Sequence, residues 1–446
     1  MASKESQQHT MAVEPREPGE IQGSLADRIG PVGEFVQGSS SSRSRKRKRG
    51  DRDHEEDVVK EPLLTPWIAS LGVTEYESKE QRLHDEIMAY VHYIQPTPQE
   101  VEVRKIVSAR VEEVAVRRFR DARVHTYGSV TTNLSLPHGD VDLVIGTRHV
   151  ETLDEKKRTL FQLRDRLRND GIATATQVNA RARVPVLSFV STPESGSINI
   201  DVTINCTDGV KAIDIIIDHL KRMPALRPLI LVLKGLLLQH NFHSAASSGL
   251  SSYALTCMTI SFIQLNPMNR PKDYFDDPVQ TESLGHLLMD FLNYYGSEFP
   301  YATSYISVNT ASIKSKESKG WDAINVPERL CIECLINPEN DIGKPTGKIK
   351  AIRALFRDSL SALQSATLEA TQSNILGIIL GVPQETIDYR EHVRRIVDQG
   401  LVYQLRSGRS WSKRGSSHIL AGGYPIHTAY SHYAPQASKR PRYERD

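Results

Sequence analysis

Asp140 and Asp142 are the side chains of this sequence whose spacing points most directly to chemistry. They lie two residues apart in the stretch YGSVTTNLSLPHGDVDLVIG, Tyr127 to Gly146. On an extended strand, positions i and i+2 share a face. Both carboxylates therefore project to one side, while Val141, Leu143 and Ile145 take the other side, which can be buried. Two like charges about 7 Å apart along a strand repel each other unless a cation stands between them. Hard oxygen ligands at that spacing suit Mg²⁺, which takes one or two protein carboxylates together with substrate phosphates. Upstream, Gly128-Ser129 offers a turn whose backbone N–H groups and hydroxyl can hold phosphate oxygens. A D-x-D pair alone is common, and a surface hairpin with incidental acids is the plain alternative.

A second strand supports the site. Residues 198–204, INIDVTI, alternate with period two. Ile198, Ile200, Val202 and Ile204 form a core face, and Asn199, Asp201 and Thr203 point the other way. Between the two strands lie a charged helical stretch, Thr152 to Asn169, and another strand-like run, Val184 to Val190. Three carboxylates on adjacent strands are what two-metal phosphoryl or nucleotidyl transfer needs.

The remaining chemistry-bearing residues sit on helical patterns. Lys234, in LILVLKGLLL, has apolar neighbours on nearly every side. A lysine buried without a partner is unfavourable, so it either reaches the surface along its stem or meets an anion. Gly249-Leu-Ser-Ser-Tyr253 opens the next helix, where small and hydroxyl residues suit an anion site. Ser251 or Ser252 can equally be an N-cap, and Tyr253 an ordinary packed tyrosine. Apolar residues recur at helical spacing over 209–222, 226–240, 249–266, 283–296 and 348–363.

The Gly-Ser, Asp-x-Asp and later Asp pattern resembles that of the DNA polymerase β-like nucleotidyltransferase superfamily. The finer resemblance is to the noncanonical poly(A) polymerases of the TRAMP (Trf/Cid) group. It is carried by Thr65-Pro-Trp-Ile68, Leu83 to Glu100, Gly128 to Asp142, Arg183 to Phe189, Asp201, Leu229 to Phe242, Gly249 to Leu255 and Pro338 to Gly343, in that order. The resemblance implies an α+β fold: a polymerase β-like palm, a mixed sheet with helices, beside a helical central domain, flanked by disordered tails. It implies template-independent addition of AMP from ATP to RNA 3′ ends, with Mg²⁺, or Mn²⁺ in its place, held by Asp140, Asp142 and Asp201. Gly128, Ser129, Lys234 and Ser252 would meet the phosphates, and Tyr253 would stack on the base, an interaction of about 1–3 kcal/mol. Asn340 and Asp341, in PENDIG, fall in what resembles the nucleotide-recognition loop. An Asn side chain can meet both the amino donor and the ring acceptors of adenine, and uridine-adding relatives carry histidine at the position of Asn340. An Asx-type turn ahead of the helix near Lys348 is the local alternative. The implied partners are a zinc-knuckle RNA-binding protein, a DExH helicase and, through them, the exosome, in the nucleus or nucleolus.

The chain departs from the family pattern at three places. Asn337 stands where a carboxylate is usual, Lys344-Pro345-Thr346-Gly347 where Arg-Ser-Ser-Tyr is usual, and Ser188 where a lysine is common. None removes a metal ligand, while the first two touch the loop that would read the base.

With 446 residues, 39% of them hydrophobic and 25% charged, the chain can bury a sizeable core in two domains. The expected partition is a basic disordered segment over 1–60, a catalytic domain over 97–206, a helical domain from 61–96 and 207–385, and a largely disordered basic tail over 386–446. The formal charge of +2 leaves nucleic-acid affinity to local patches. Arg43 and the run Arg45 to Arg49 form one such patch, read as a nuclear localisation signal, a nucleic-acid arm or a solvated segment. Arg406, Arg409, Lys413 and Arg414 around Trp411 form another, read as an RNA contact or a second import signal. No run of about 18 apolar residues occurs, so no membrane span is expected, and the N-terminus lacks an apolar signal core. The four cysteines fit a reducing compartment. Cys331 and Cys334, in LCIECLI, read as buried thiols rather than zinc ligands.

Overall fold

The computed structural model describes residues 63–72, 75–182, 184–368 and 374–404. The basic run at 43–49 and the cationic stretch at 406–414 lie outside them. The fold is α+β. Five strands, β1 (Arg123–Tyr127), β2 (Val141–Gly146), β3 (Ala173–Asn179), β4 (Val186–Ser191) and β5 (Asn199–Ile204), form one sheet in the order β1-β2-β5-β4-β3. Only the β2–β5 pair is parallel. A parallel pair requires a long crossover. Here it contains α4 (Leu153–Asn169), β3 and β4.

Helix α1 spans Lys79–Tyr93 and α2 spans Pro98–Arg118. Helix α2 starts sharply because Thr97 and Glu100 form a capping box with Pro98 in the first turn, and Thr152 with Glu155 does the same for α4. Both helices pack on one face of the sheet. Their apolar residues meet Val141, Leu143, Ile145, Ile198, Ile200, Val202 and Ile204, all at most 3% exposed. The core face expected from the alternation is therefore the one observed, and the acids occupy the opposite face.

A second core is helical. Beyond a single turn at α3 (Gly128–Thr131), it is built on α5 (Thr207–Arg222), α6 (Leu226–Gln239), α7 (Ser252–Leu265), a short α8 (Asp273–Asp276), α9 (Leu284–Asn293) and α10 (Ile349–Ser365), with α1. Helix α6 is apolar all round and lies at the centre of this core. Gly235 lets it approach α1, since a Cβ there would fall 2.3 Å from the Tyr90 hydroxyl. A small hairpin, β6 (Ser304–Ser307) with β7 (Ser312–Ser315), is added to the helices. Leu64 and Val382 exchange two backbone hydrogen bonds of 2.9 Å and close the unit.

Two features differ from the expected partition. Helix α11 (Gln384–Asp398) and the turn α12 (Leu401–Gln404) fall largely in the stretch read as disordered tail. Tyr389, Val393 and Ile396, with Val402, are buried in the sheet-side core beside α2. Their i, i+4, i+7 stripe is thin, and the charges of DYREHVRRIVD around it mask the periodicity. The second difference is Leu134 and Leu136, inside the catalytic segment by sequence, whose side chains belong to the helical core.

Candidate active site

Asp142 pairs with Tyr127 on one side and, across the parallel ladder, with Asp201 on the other. Neighbouring strands run about 4.8 Å apart, so these two acids are closer than Asp140 and Asp142 along the chain. Asp201 in turn stands opposite Ser188 on β4. Asp140 immediately precedes β2. Burial, then the charges of Asp201 and Asp140, push the Asp142 carboxyl well above the usual carboxylate range, and the Lys234 ammonium opposes them.

Gly128 makes room for this carboxylate. Its φ is +71°, and a Cβ there would lie 2.0 Å from Asp142 Oδ2. Only glycine allows both the conformation and the approach. Ser129 follows, half-buried, with its carbonyl accepting from Leu134 N at 2.9 Å.

The donor set fits a hard divalent cation. Carboxylates that repel one another, one of them forced toward its neutral form, are stabilised together by a metal, as Mg²⁺ is by one or two carboxylates and substrate phosphates. As they stand among the described residues, the acids do not close a three-residue metal cage. Asp140, Asp142 and Asp201 are the groups that would hold the ion.

Lys234 is half-buried on α6, and its Nζ donates to the Leu134 carbonyl at 2.7 Å. Burial lowers its pKa to about 8, while Asp142 and Asp140 pull it up. The lysine thus faces the acids and rests on a backbone oxygen of the loop that leads to them. One helical turn pair earlier, Arg227 Nε donates to the Asn133 carbonyl at 3.1 Å.

Ser251, not Ser252, caps α7, accepting from Ala254 N at 3.1 Å. That leaves Ser252 exposed in the first turn. Tyr253 is half-buried, and its hydroxyl accepts from Leu335 N at 3.2 Å and lies 3.6 Å from Cys334 Sγ. The Cys334 amide donates to the Asn340 carbonyl at 3.0 Å, so Tyr253 and the Asn337–Gly343 loop are one assembly. The Asn340 side chain is half-exposed there. Asp341 differs from its expected place as a nucleotide contact. Its side chain turns inward, Oδ1 accepting from Ile332 N and Gly343 N at 2.9 Å each, with Arg329 3.4 Å from Oδ2. It shapes the loop from within. Cys331 is buried, Cys334 half-buried, and both are free thiols.

Sequence reasoning missed several supporting groups. Tyr127 lies beside Asp142 with its hydroxyl 3.5 Å from Thr203 Oγ1. Its place just before Gly128 was the available signal. Arg227 and the carbonyls of Asn133 and Leu134 carried none, because backbone acceptors have no sequence signature. Lys316 is 1% exposed and donates to the carbonyls of Pro327 and Arg329 at 2.9 and 2.6 Å, stitching the stretch before the Asp341 loop.

Two family models match. Residues 83–217 fit the poly(A) RNA polymerase, mitochondrial-like, central palm domain, and residues 283–336 fit the Cid1 family poly A polymerase model. Poly(A) RNA polymerase cid14 of Schizosaccharomyces pombe is 30% identical over 70% of this chain and 46% of its own length. Poly(A) RNA polymerase protein 2 of Saccharomyces cerevisiae is 30% identical over 76% of this chain and 57% of its own. The chain spans about half the length of the curated relatives it matches first. A Drosophila melanogaster relative, named as the inactive noncanonical poly(A) RNA polymerase protein Trf4-2, is 33% identical over 70% of this chain and 76% of its own. Among solved structures, the polymerase core of TRAMP, described as an RNA surveillance complex, aligns with TM-score 0.63 and 27% identity over 70% of this chain and 98% of that one. By this likeness across both cores and the acid-bearing sheet, the chain belongs to the noncanonical poly(A) RNA polymerase family of nucleotidyltransferases.

Proposed function

We propose that this chain adds AMP from ATP to RNA 3′ ends without a template. The observation that carries the proposal is the placement of Asp142 opposite Asp201 on adjacent parallel strands, with Asp140 alongside and Lys234 facing them. A divalent cation held by the three acids, Mg²⁺ or Mn²⁺, supplies charge neutralisation on the triphosphate and a lower pKa for the attacking hydroxyl. Lys234, now donating to a carbonyl, has an ammonium that acts on Asp142 and Asp140 and can turn to phosphate oxygens. Gly128 keeps the Asp142 carboxylate clear of the backbone. Tyr253 offers a ring to the base, and Asn340 offers the base edge an amide. In-line transfer needs little covalent work from the protein, so placement and charge carry it.

The proposed setting is nuclear, or nucleolar, RNA surveillance, with a zinc-knuckle RNA-binding protein and a DExH helicase as partners and the exosome downstream. The TRAMP polymerase core among the similar structures supports it. A second reading, uridylyl transfer by the same chemistry, is disfavoured by Asn340. A third, a silent scaffold, is raised by the relative named inactive. Against it stands the cost of keeping three mutually repelling acids on one sheet. Incubating labelled RNA with each NTP in Mg²⁺ separates the three: a ladder with ATP supports the proposal, a ladder with UTP the second, and none the third.

A further inference from the structure

We infer that helix α11 sets the position of Asp140 through a ring stack between Tyr389 and His138, which makes both of them positioning residues. The inference rests on the metal-site reading above.

His138 lies two residues before Asp140 and has a φ of +61°, the left-handed region that a histidine seldom occupies. Something must hold it there. Its ring lies on that of Tyr389, with centroids 3.9 Å apart and planes at 37°. Its Nε2–H donates to the Glu385 carbonyl at 3.3 Å. The next residue, Gly139, closes a turn onto the Leu136 carbonyl at 3.0 Å, and Asp140 follows. The path from the stack to the carboxylate is therefore one tight turn.

The other end of the stack is fixed. Tyr389 is 9% exposed and belongs to the sheet-side core. The adjacent Arg390 donates to the carbonyls of Tyr93 and Gln95, the latter at 2.8 Å, and lies 3.4 Å from the buried Glu100. Helix α11 is thereby locked to the α1–α2 junction. Across the loop, Leu134 and Leu136 are held in the helical core. The loop that delivers Asp140 is thus stretched between two cores, and the His138–Tyr389 stack is its anchor on the sheet side. The effect is steric and involves no change of charge.

The test uses the full chain. Manganese binding is followed by electron paramagnetic resonance, with an Asp140→Ala/Asp142→Ala double variant as the reference for a lost site. His138→Ala and Tyr389→Ala should each weaken binding about 10- to 100-fold, the range for residues that orient metal ligands, and lower kcat with the KM for ATP unchanged. Tyr389→Phe keeps the ring and should bind manganese as the native chain does. His138 is exposed, so His138→Ala removes no core atom and decides the matter if Tyr389→Ala does not fold. A folded His138→Ala chain with native manganese affinity overturns the inference, even if its melting temperature falls. A native chain that binds no manganese overturns the metal-site reading itself, and the anchor with it.

Discussion

Asp142 and Asp201 stand opposite each other on neighbouring parallel strands, β2 and β5, with only the strand spacing between them. The Lys234 ammonium acts on Asp142 against the charges of Asp201 and Asp140. Like charges so placed lower stability unless a cation lies among them.

Asp142→Ala should therefore leave the chain as stable as the native one, or more stable, while abolishing primer extension. Removing a carboxylate from a like-charged set relieves repulsion. Thermal melts in the absence of metal and extension assays in its presence check the two halves. A clearly lower melting temperature would assign Asp142 a structural role instead.

Gly128→Ala should cost more activity than stability. The methyl would meet Asp142 Oδ2 at 2.0 Å and must adopt a φ of +71°. The strain is about 1–2 kcal/mol, and displacing a carboxylate by about 1 Å can lower turnover about 100-fold. A variant with native kcat would show that the Asp142 carboxylate has no fixed place.

Asn340→His should move base preference from ATP toward UTP. The Asn340 backbone is held by the Asn337 carbonyl and the Cys334 amide, each at 3.0 Å, so the substitution alters the side chain while the loop keeps its path. The ratio of kcat/KM values for the two nucleotides is the measurement, and an unchanged ratio would remove Asn340 from base reading. Asp341→Ala should act differently, lowering affinity for every nucleotide, because it leaves the amides of Ile332 and Gly343 without their acceptor.

His84 should make stability depend on pH. It is 3% exposed, its Nδ1 accepts from Leu284 N at 3.3 Å, and burial lowers its pKa from 6.5 to about 4. Protonation then favours the unfolded chain, so the contribution is full above about pH 6.5 and is lost as pH falls toward 4. The difference corresponds to about 3 kcal/mol. His84→Asn keeps an acceptor without titrating, and its melting temperature should fall less than the native one between pH 6.5 and 4. Parallel curves would contradict this.

The strands that carry the acids were legible in the sequence because period-two alternation fixes a face, and both Asp142 and Asp201 fall on the polar one. Their adjacency was not, since register between distant strands depends on pairings that no local pattern encodes. Lys234 was legible as a cation needing a partner, but its partner is a carbonyl, which leaves no trace in sequence. Asn340 and Asp341 looked alike as loop polar residues, and only backbone geometry separates the half-exposed amide from the inward carboxylate. Helix α11 was hidden by its charges, so a truncation at 385 would strip Tyr389, Val393 and Ile396 from the sheet-side core.

The role proposed for the sheet acids is AMP transfer to RNA. Its most direct test is extension of a labelled RNA by the full chain with each single NTP in Mg²⁺, beside the Asp140→Ala/Asp142→Ala double variant. A ladder with ATP from the native chain and none from a folded double variant is the expected result. Robust tailing by the double variant, or a native chain silent with all four nucleotides, would contradict it.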